Sequence, residues 1–342
     1  MAQANNDTID TIYFGNPIQD ITVQDDERVL LNKYSLELGM ASLASPEQIP
    51  IYAEMAATEG RLFSPGGSAL NSARAQKHIN SSGAVAYFGC IGNDDFGKSL
   101  QEEVAEAGVD AKFSITDEHA TGTCACVIVG KERTLCANIA AAKAYPTQHI
   151  ADNLDVLAKA KYLYTTGFFV DSNFEAVKQI CDFAKENNKP LGFNLSAVFV
   201  IQFYAEQVKH VLKYSDFVFC NEDEGGAYAQ SLGLEATNFE EAAKTIAKSE
   251  KENKSTPRVV IFTLGAEPTL VVTCMPGEEP VVEYSPLDKI PKEKIVDTNG
   301  AGDSFVGGFF SSLSQGSNVM DAVKAGNTLA GKIIQVSGVN FE

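Results

Sequence analysis

A chain of 342 residues, 44% apolar, with 27 glycines and a formal net charge of −18, is long enough for about two domains, or one large α/β domain with an appendage, around a sizeable core. The acidity excludes nucleic acid and anionic membrane surfaces as partners, because both are bound through clustered Lys and Arg. Any polyphosphate ligand must then be met by a few local donors. Seven cysteines scattered singly make no disulfide framework, and the four histidines show no local pairing. No run reaches the ~18 apolar residues of a membrane span, and MAQANNDTID carries no leader pattern; the expectation is a cytoplasmic protein with buried thiols.

In chain order, residues 20–62 hold two short strand-like pieces, DITVQ and GRLF, without parallel-strand character. From about residue 83, β-rich runs alternate with helical patterns: GAVAYFGCI then KSLQEEVAEAG, KYLYTTGF then NFEAVKQICDFAKENN, PLGFNL then FYAEQVKHVLKY, DFVFCN then a helix, and RVVIFTL. Such alternation predicts an α/β protein with a mostly parallel sheet flanked by helices on both faces. The run TGTCACVIVGKERTLCANIA, residues 121–140, interrupts it, and its two β-rich halves around Gly130, Lys131 and Glu132 read as a hairpin. With the 20–62 pieces it predicts a small β-rich lid. Cys124 and Cys126 share one strand face, but no C-x-x-C pair or nearby histidine completes a zinc site, so a metal–cysteine centre is not expected.

Two glycine-rich stretches compete for a phosphate. Gly92, Gly97, Lys98 and Ser99 have the G-x-x-x-x-G-K-S spacing of a phosphate-cradling loop. Asp94 and Asp95 would put two carboxylates where amides must surround a polyanion, so this stretch reads as a structural turn with one aspartate capping the helix. In KIVDTNGAGDSFVGGFFSSL, residues 294–313, Gly300, Ala301 and Gly302 precede an apolar helix. Unpaired N–H groups and the positive end of the helix dipole make an anion hole there. Asp303 at its mouth is either a helix cap or a general base.

DTNGAGDSF at 297–305 and PGGSALNSA at 65–73 resemble the two signatures of the ribokinase-like (PfkB) carbohydrate and purine kinase family. GNPIQD at 15–20, YFGCIGNDDFG at 87–97, TGTCA at 121–125, GFF at 167–169, FNLSA at 193–197, NEDE at 221–224 and VIFTLG at 260–265 follow in the order of that family's adenosine kinases. The resemblance implies a ribokinase-like fold: a large α/β domain over about residues 7–19, 67–118 and 143–342, and a small β lid over about 20–66 and 119–142. It implies transfer of the γ-phosphate of ATP to the 5′-hydroxyl of adenosine, giving AMP and ADP, by a cytoplasmic monomer. Asp303 would be the general base, Asn299, Gly300, Ala301 and Gly302 the anion hole, and Arg133 the lid arginine that reaches the phosphates.

By the same resemblance Asp20 accepts hydrogen bonds from the ribose hydroxyls, with Asn16, Gly67, Ser68 and Asn71 beside it, although a solvated strand end is the other reading of Asp20. Phe169 would stack on the adenine, and Leu43, Cys124, Leu135 and Ala137 would line the pocket. Asn194, Thr263, Gly265 and Asn327 match the ATP side, and Asn221 and Glu224 match an element that holds Mg²⁺ through water. Activation by a monovalent cation is left open. Gln19, Ala41, Val198 and Asn327 depart from the family's pattern. The alternatives are a kinase for another nucleoside or a sugar, a P-loop NTPase, or a nucleotide-binding protein without turnover.

Overall fold

The computed structural model describes residues 8–130 and 132–341. Residue 7, where the expected large-domain segment begins, Lys131 of the expected turn and the Ala41 side chain lie outside the described residues. Within them, the apolar runs pair as a nine-stranded sheet. Its strands, numbered along the chain with those of a second sheet, are β1 (Ile9–Phe14), β5 (Val85–Gly92), β6 (Asp110–Thr116), β9 (Ala160–Thr166), β10 (Leu191–Asn194), β11 (Phe217–Asn221), β12 (Arg258–Leu264), β13 (Glu267–Cys274) and β14 (Val281–Ser285). They lie in the order β14-β13-β12-β11-β10-β9-β1-β5-β6. The pairings from β12 across to β6 are parallel, and β13 and β14 are antiparallel.

Both faces of this sheet are covered, which is why β5 is buried at every position. Successive residues point to opposite sides. Ile12, Phe14, Leu163, Val218, Cys220, Val260 and Phe262 join the core under helix Gly167–Glu186. Tyr13, Tyr164, Phe217, Phe219, Val259 and Ile261 join the core under helix Ala301–Ser314, which buries Phe305, Phe309 and Phe310 there. Each of those phenylalanines contributes about 1.5–3 kcal/mol by burial. Gly307 lets the same helix lie close to helix Ser68–Ile79, since a Cβ at Gly307 would come within 2.7 Å of the Ser72 carbonyl oxygen. That crossing brings the two signature motifs together.

The second sheet has five strands in the order β3-β8-β7-β2-β4: β2 (Ile18–Gln24), β3 (Ala41–Leu43), β4 (Leu62–Gly66), β7 (Thr123–Val129) and β8 (Glu132–Asn138). The hairpin read from residues 121–140 is the antiparallel pair β7–β8. β2 alternates buried and part-exposed residues, the mark of a sheet covered on one side. Ile21, Val23, Ala125, Val127 and Cys136 point to a core made with the short helices Val29–Lys33 and Ile51–Ala57. The intervening residues belong to the other face.

Five strands, β1, β3, β6, β13 and β14, escape the sequence reading. β6 and β14 are the two edges of the sheet, half-exposed or carrying a charged residue, and lack the unbroken apolar run that marks a central parallel strand; β13, paired on both sides, opens on exposed Glu267 and Pro268.

Candidate active site

Asn194, Asn221 and Thr263 end β10, β11 and β12 or stand one residue before the end, and Asn16 follows β1. All lie at the carboxyl ends of parallel strands, where open α/β sheets bind ligands. Asn221 and Thr263 are register partners. The Asn194 side-chain oxygen accepts the Ser196 N–H at 2.9 Å, and the Thr263 hydroxyl donates to the Cys220 carbonyl at 3.4 Å. Gly265 makes the turn from β12 into β13 in the left-handed region, φ 58°. Asn16 is buried, donating to the Phe168 carbonyl at 3.0 Å and accepting from the Ser172 hydroxyl at 2.8 Å.

Gly300, in the left-handed conformation with φ 73°, is the N-cap of helix Ala301–Ser314. Asp303 stands three residues inside and makes no cap hydrogen bond, so the cap reading of Asp303 is corrected. Its carboxylate instead accepts the Ser68 hydroxyl at 2.6 Å and the Asn71 amide at 3.0 Å. Both donors come from helix Ser68–Ile79, whose N-cap is Gly67. Burial pushes the Asp303 pKa up, and the two hydrogen bonds pull it part of the way back. Nothing within 4 Å faces the position a Cβ would take on Gly302, so the helix start opens into free space beside the acid. The Asn71 side-chain oxygen is buried without a partner, an acceptor still available to a hydroxyl.

The front face of the second sheet supplies the opposite wall. Asp20 is the register partner of Cys124, Cys124 of Ala137 and Cys126 of Leu135, and Leu43 of Ala137. Period-two geometry therefore puts Asp20, Leu43, Cys124, Leu135, Ala137 and Arg133 on one side. Burial and then Cys126 raise the Asp20 pKa well above the usual carboxylate range, against Arg133 and Arg74. Arg133 reaches across to Asp297, 3.1 Å away, just before the glycine loop. Asp297 also accepts the backbone N–H of Asn299 at 2.9 Å and its side-chain amide at 2.8 Å.

Asn221 and Glu224 form a capping box at the start of helix Glu222–Ser231: the Asn221 N–H donates to Glu224 at 3.0 Å and the Glu224 N–H to Asn221 at 2.9 Å. Burial pushes the Glu224 carboxyl up to about 7, with Asp223 and Asp303 adding like charge. A nearby cation would relieve that repulsion, so the pair fits a hydrated divalent ion.

A model of the pfkB family of carbohydrate kinases matches residues 41–342. Adenosine kinase 2 of Arabidopsis thaliana is 36% identical over 345 residues, covering 100% of this chain and 98% of its own. Adenosine kinase of Schizosaccharomyces pombe is 38% identical over 336 residues, covering 96% of each. The crystal structure of Anopheles gambiae adenosine kinase in complex with a di(adenosine) tetraphosphate superposes with a TM-score of 0.86 at 35% identity, over 97% of both chains. The chain belongs to the pfkB kinase family.

Within this pfkB kinase, four expected site residues already have partners inside the protein. Phe169 is wholly buried, edge-on to Tyr145, with no ring face presented to the cleft. Adjacent residues on a helix point about 100° apart, and it is Phe168 that stays part-exposed, 6.2 Å from the Phe199 ring. Asn327 accepts the Thr269 hydroxyl at 2.8 Å, between the last helix and β13. Ser68 and Asn71, expected beside Asp20, are tied to Asp303. Two residues without an expected role also stand at the site: Asp297, whose second oxygen accepts the Gly338 N–H at 3.0 Å, and Arg74, which donates to the Pro65 carbonyl at 2.7 Å. Asp297 lies in the signature itself; Arg74 follows the other signature, and only its contact with the Val339 carbonyl comes from a distant segment.

Proposed function

We propose that this pfkB kinase is an adenosine kinase, transferring the γ-phosphate of ATP to the 5′-hydroxyl of adenosine. The observation that carries the reading is Asp303 held by Ser68 and Asn71 beside the open start of helix Ala301–Ser314. A carboxylate at an anion-binding helix end repels phosphate unless it has a chemical task, and a raised pKa suits a general base. Asp303 takes the hydroxyl proton as that oxygen forms a bond to the γ-phosphorus, and the bond from that phosphorus to the bridging oxygen breaks to release ADP.

The N–H groups of Gly300, Ala301 and Gly302, with the Asn299 amide, stabilise charge on the migrating phosphoryl. Arg133 brings positive charge from the lid, and its contact with Asp297 holds the lid against the loop so that water is excluded. Asp20, an acceptor-only group on the facing wall, suits the two hydroxyl donors of a ribose. Phe168 offers the base a part-exposed ring in place of Phe169. Asn221 and Glu224 would hold Mg²⁺ through water, and the bound ion would offset phosphate charge. The relatives matched above carry the name adenosine kinase, and one was crystallised with two adenosines joined by phosphates. The protein is taken to act as a cytoplasmic monomer; no helix among the described residues is long and apolar enough to cross a membrane.

The test is ADP release from ATP and Mg²⁺ against adenosine, inosine, guanosine, ribose and fructose. Adenosine is expected to have the highest kcat/KM. A sugar outrunning it would replace the reading with a sugar kinase.

A further inference from the structure

On the front face of the lid sheet, Asp20 and Cys124 of the nucleoside wall meet Cys126, a residue with no role in the reading above. Asp20 and Cys124 are register partners on adjacent parallel strands, and Cys126 follows two residues along the same face. One ligand atom from each, a carboxylate oxygen and two sulfurs, lie within 4.8 Å of one another. The sulfurs are 4.0 Å apart. Two thiolates on a tetrahedral zinc, each ~2.3 Å from the metal, stand about 3.8 Å apart. The pitch of one strand thus sets almost the bite a zinc ion requires.

We propose that Asp20, Cys124 and Cys126 bind one soft divalent cation, zinc or cadmium, and that this cation and the nucleoside exclude each other because both engage Asp20. The exclusion rests on the ribose reading of Asp20; the metal site does not. Thiolate donors favour soft over hard cations, which separates this site from any Mg²⁺ site. Binding releases the two thiol protons and leaves a neutralised pair of sulfurs, with the carboxylate as third ligand and a fourth position toward the cleft. Cys124 and Cys126 are 7% and 0% exposed, so solvent would not compete for the sulfurs, while Asp20 keeps an opening to the cleft. Arg133 lies beside Cys126 and Asp20 as well as Asp297, 3.1 Å away, so a bound cation has to be accommodated next to its guanidinium. Arg74 is directed to the Pro65 carbonyl at 2.7 Å.

Cadmium added to the chelator-treated full-length protein reports binding through sulfur-to-cadmium charge-transfer absorbance. One equivalent is expected to saturate the band, saturating adenosine to suppress it, and Cys126→Ser to lose it while still phosphorylating adenosine. The proposal is overturned if the wild type shows no band at one equivalent, if the band survives in Cys126→Ser, or if adenosine leaves cadmium binding unchanged. The wild-type arms need no variant, so a misfolded Cys126→Ser leaves the test intact. Failure of the kinase reading would show separately, as metal-free wild type that does not phosphorylate adenosine.

Discussion

The loops at 92–99 and 297–305 are built from the same parts: glycines, an aspartate and the start of a helix. They differ in what their polar groups already touch. Asp94 caps its helix by accepting the Gly97 N–H at 2.8 Å, and it also accepts the Thr121 N–H at 2.8 Å and the Thr121 hydroxyl at 2.6 Å. A Cβ on Gly92 would meet the backbone of residues 119–121, so there is no room for a ligand, and Lys98 points away to a long 3.6 Å pairing with Asp95. Asp303 has two donors, makes no cap, and borders open space at Gly302. The difference lies in space: tertiary contacts close the turn at Gly92, whereas the helix start is open at Gly302, although the Ala301 N–H already meets the Thr298 carbonyl at 3.3 Å. Asp94 is the cap that the structural-turn reading of 92–99 expects, and the P-loop alternative finds no open site there.

The comparison can be broken most directly at Asp303. Asp303→Asn is expected to lower kcat by about 10²–10⁴, the range for losing a general base, with ADP binding retained by calorimetry; near-normal turnover would remove the contrast between the loops. Ser68→Ala should lower kcat about tenfold, the equivalent of ~1.4 kcal/mol. It removes a donor to the ionised carboxylate, so the Asp303 pKa rises further and the acid limb of the kcat–pH profile moves to higher pH. An unshifted limb would mean that Ser68 does not tune the acid.

Asp94→Ala should leave kcat unchanged and cost about 1–2 kcal/mol of stability in urea unfolding, through the lost cap and the unpaired Thr121. Burial alone would raise the Asp94 pKa, but the hydrogen bonds from Thr121 and Gly97 and the Lys98 charge carry it below the ordinary value. Its stabilisation is complete above the usual carboxylate range and fades as pH falls through the lowered pKa. The gap between wild type and Asp94→Ala should accordingly close in acid, and a gap independent of pH would point to packing instead. The smallest effect is expected at Lys98→Ala, with turnover and Tm both unchanged. Loss of ATP binding there would restore the phosphate role of the earlier loop.

Much of the site was legible because it follows from local pattern. The strand runs around Asn194, Asn221 and Thr263 put those residues at strand ends on one edge of a parallel sheet, and strand alternation alone puts Cys124 and Cys126 on one face. The helix after Gly300 could be read from its apolar run. Phe169 was misplaced because GFF does not reveal which of two adjacent rings a helix turns inward; the depth of the Tyr145 contact decides it. The hydrogen bonds from Ser68 and Asn71 to Asp303 could not be read from the motifs, because 232 or more residues separate the partners.

The amino-acid sequence by itself determined the α/β class, the glycine-rich helix start and the chemistry available at Asp303, because each depends on residue types a few positions apart. Only the tertiary structure decided which donors surround that acid, that Arg133 meets Asp297, and that Asp20 joins two cysteines which alone make no metal motif. Those outcomes rest on a close crossing of two helices at Gly307 and on the register of β2 against β7, distances between segments that no local pattern encodes.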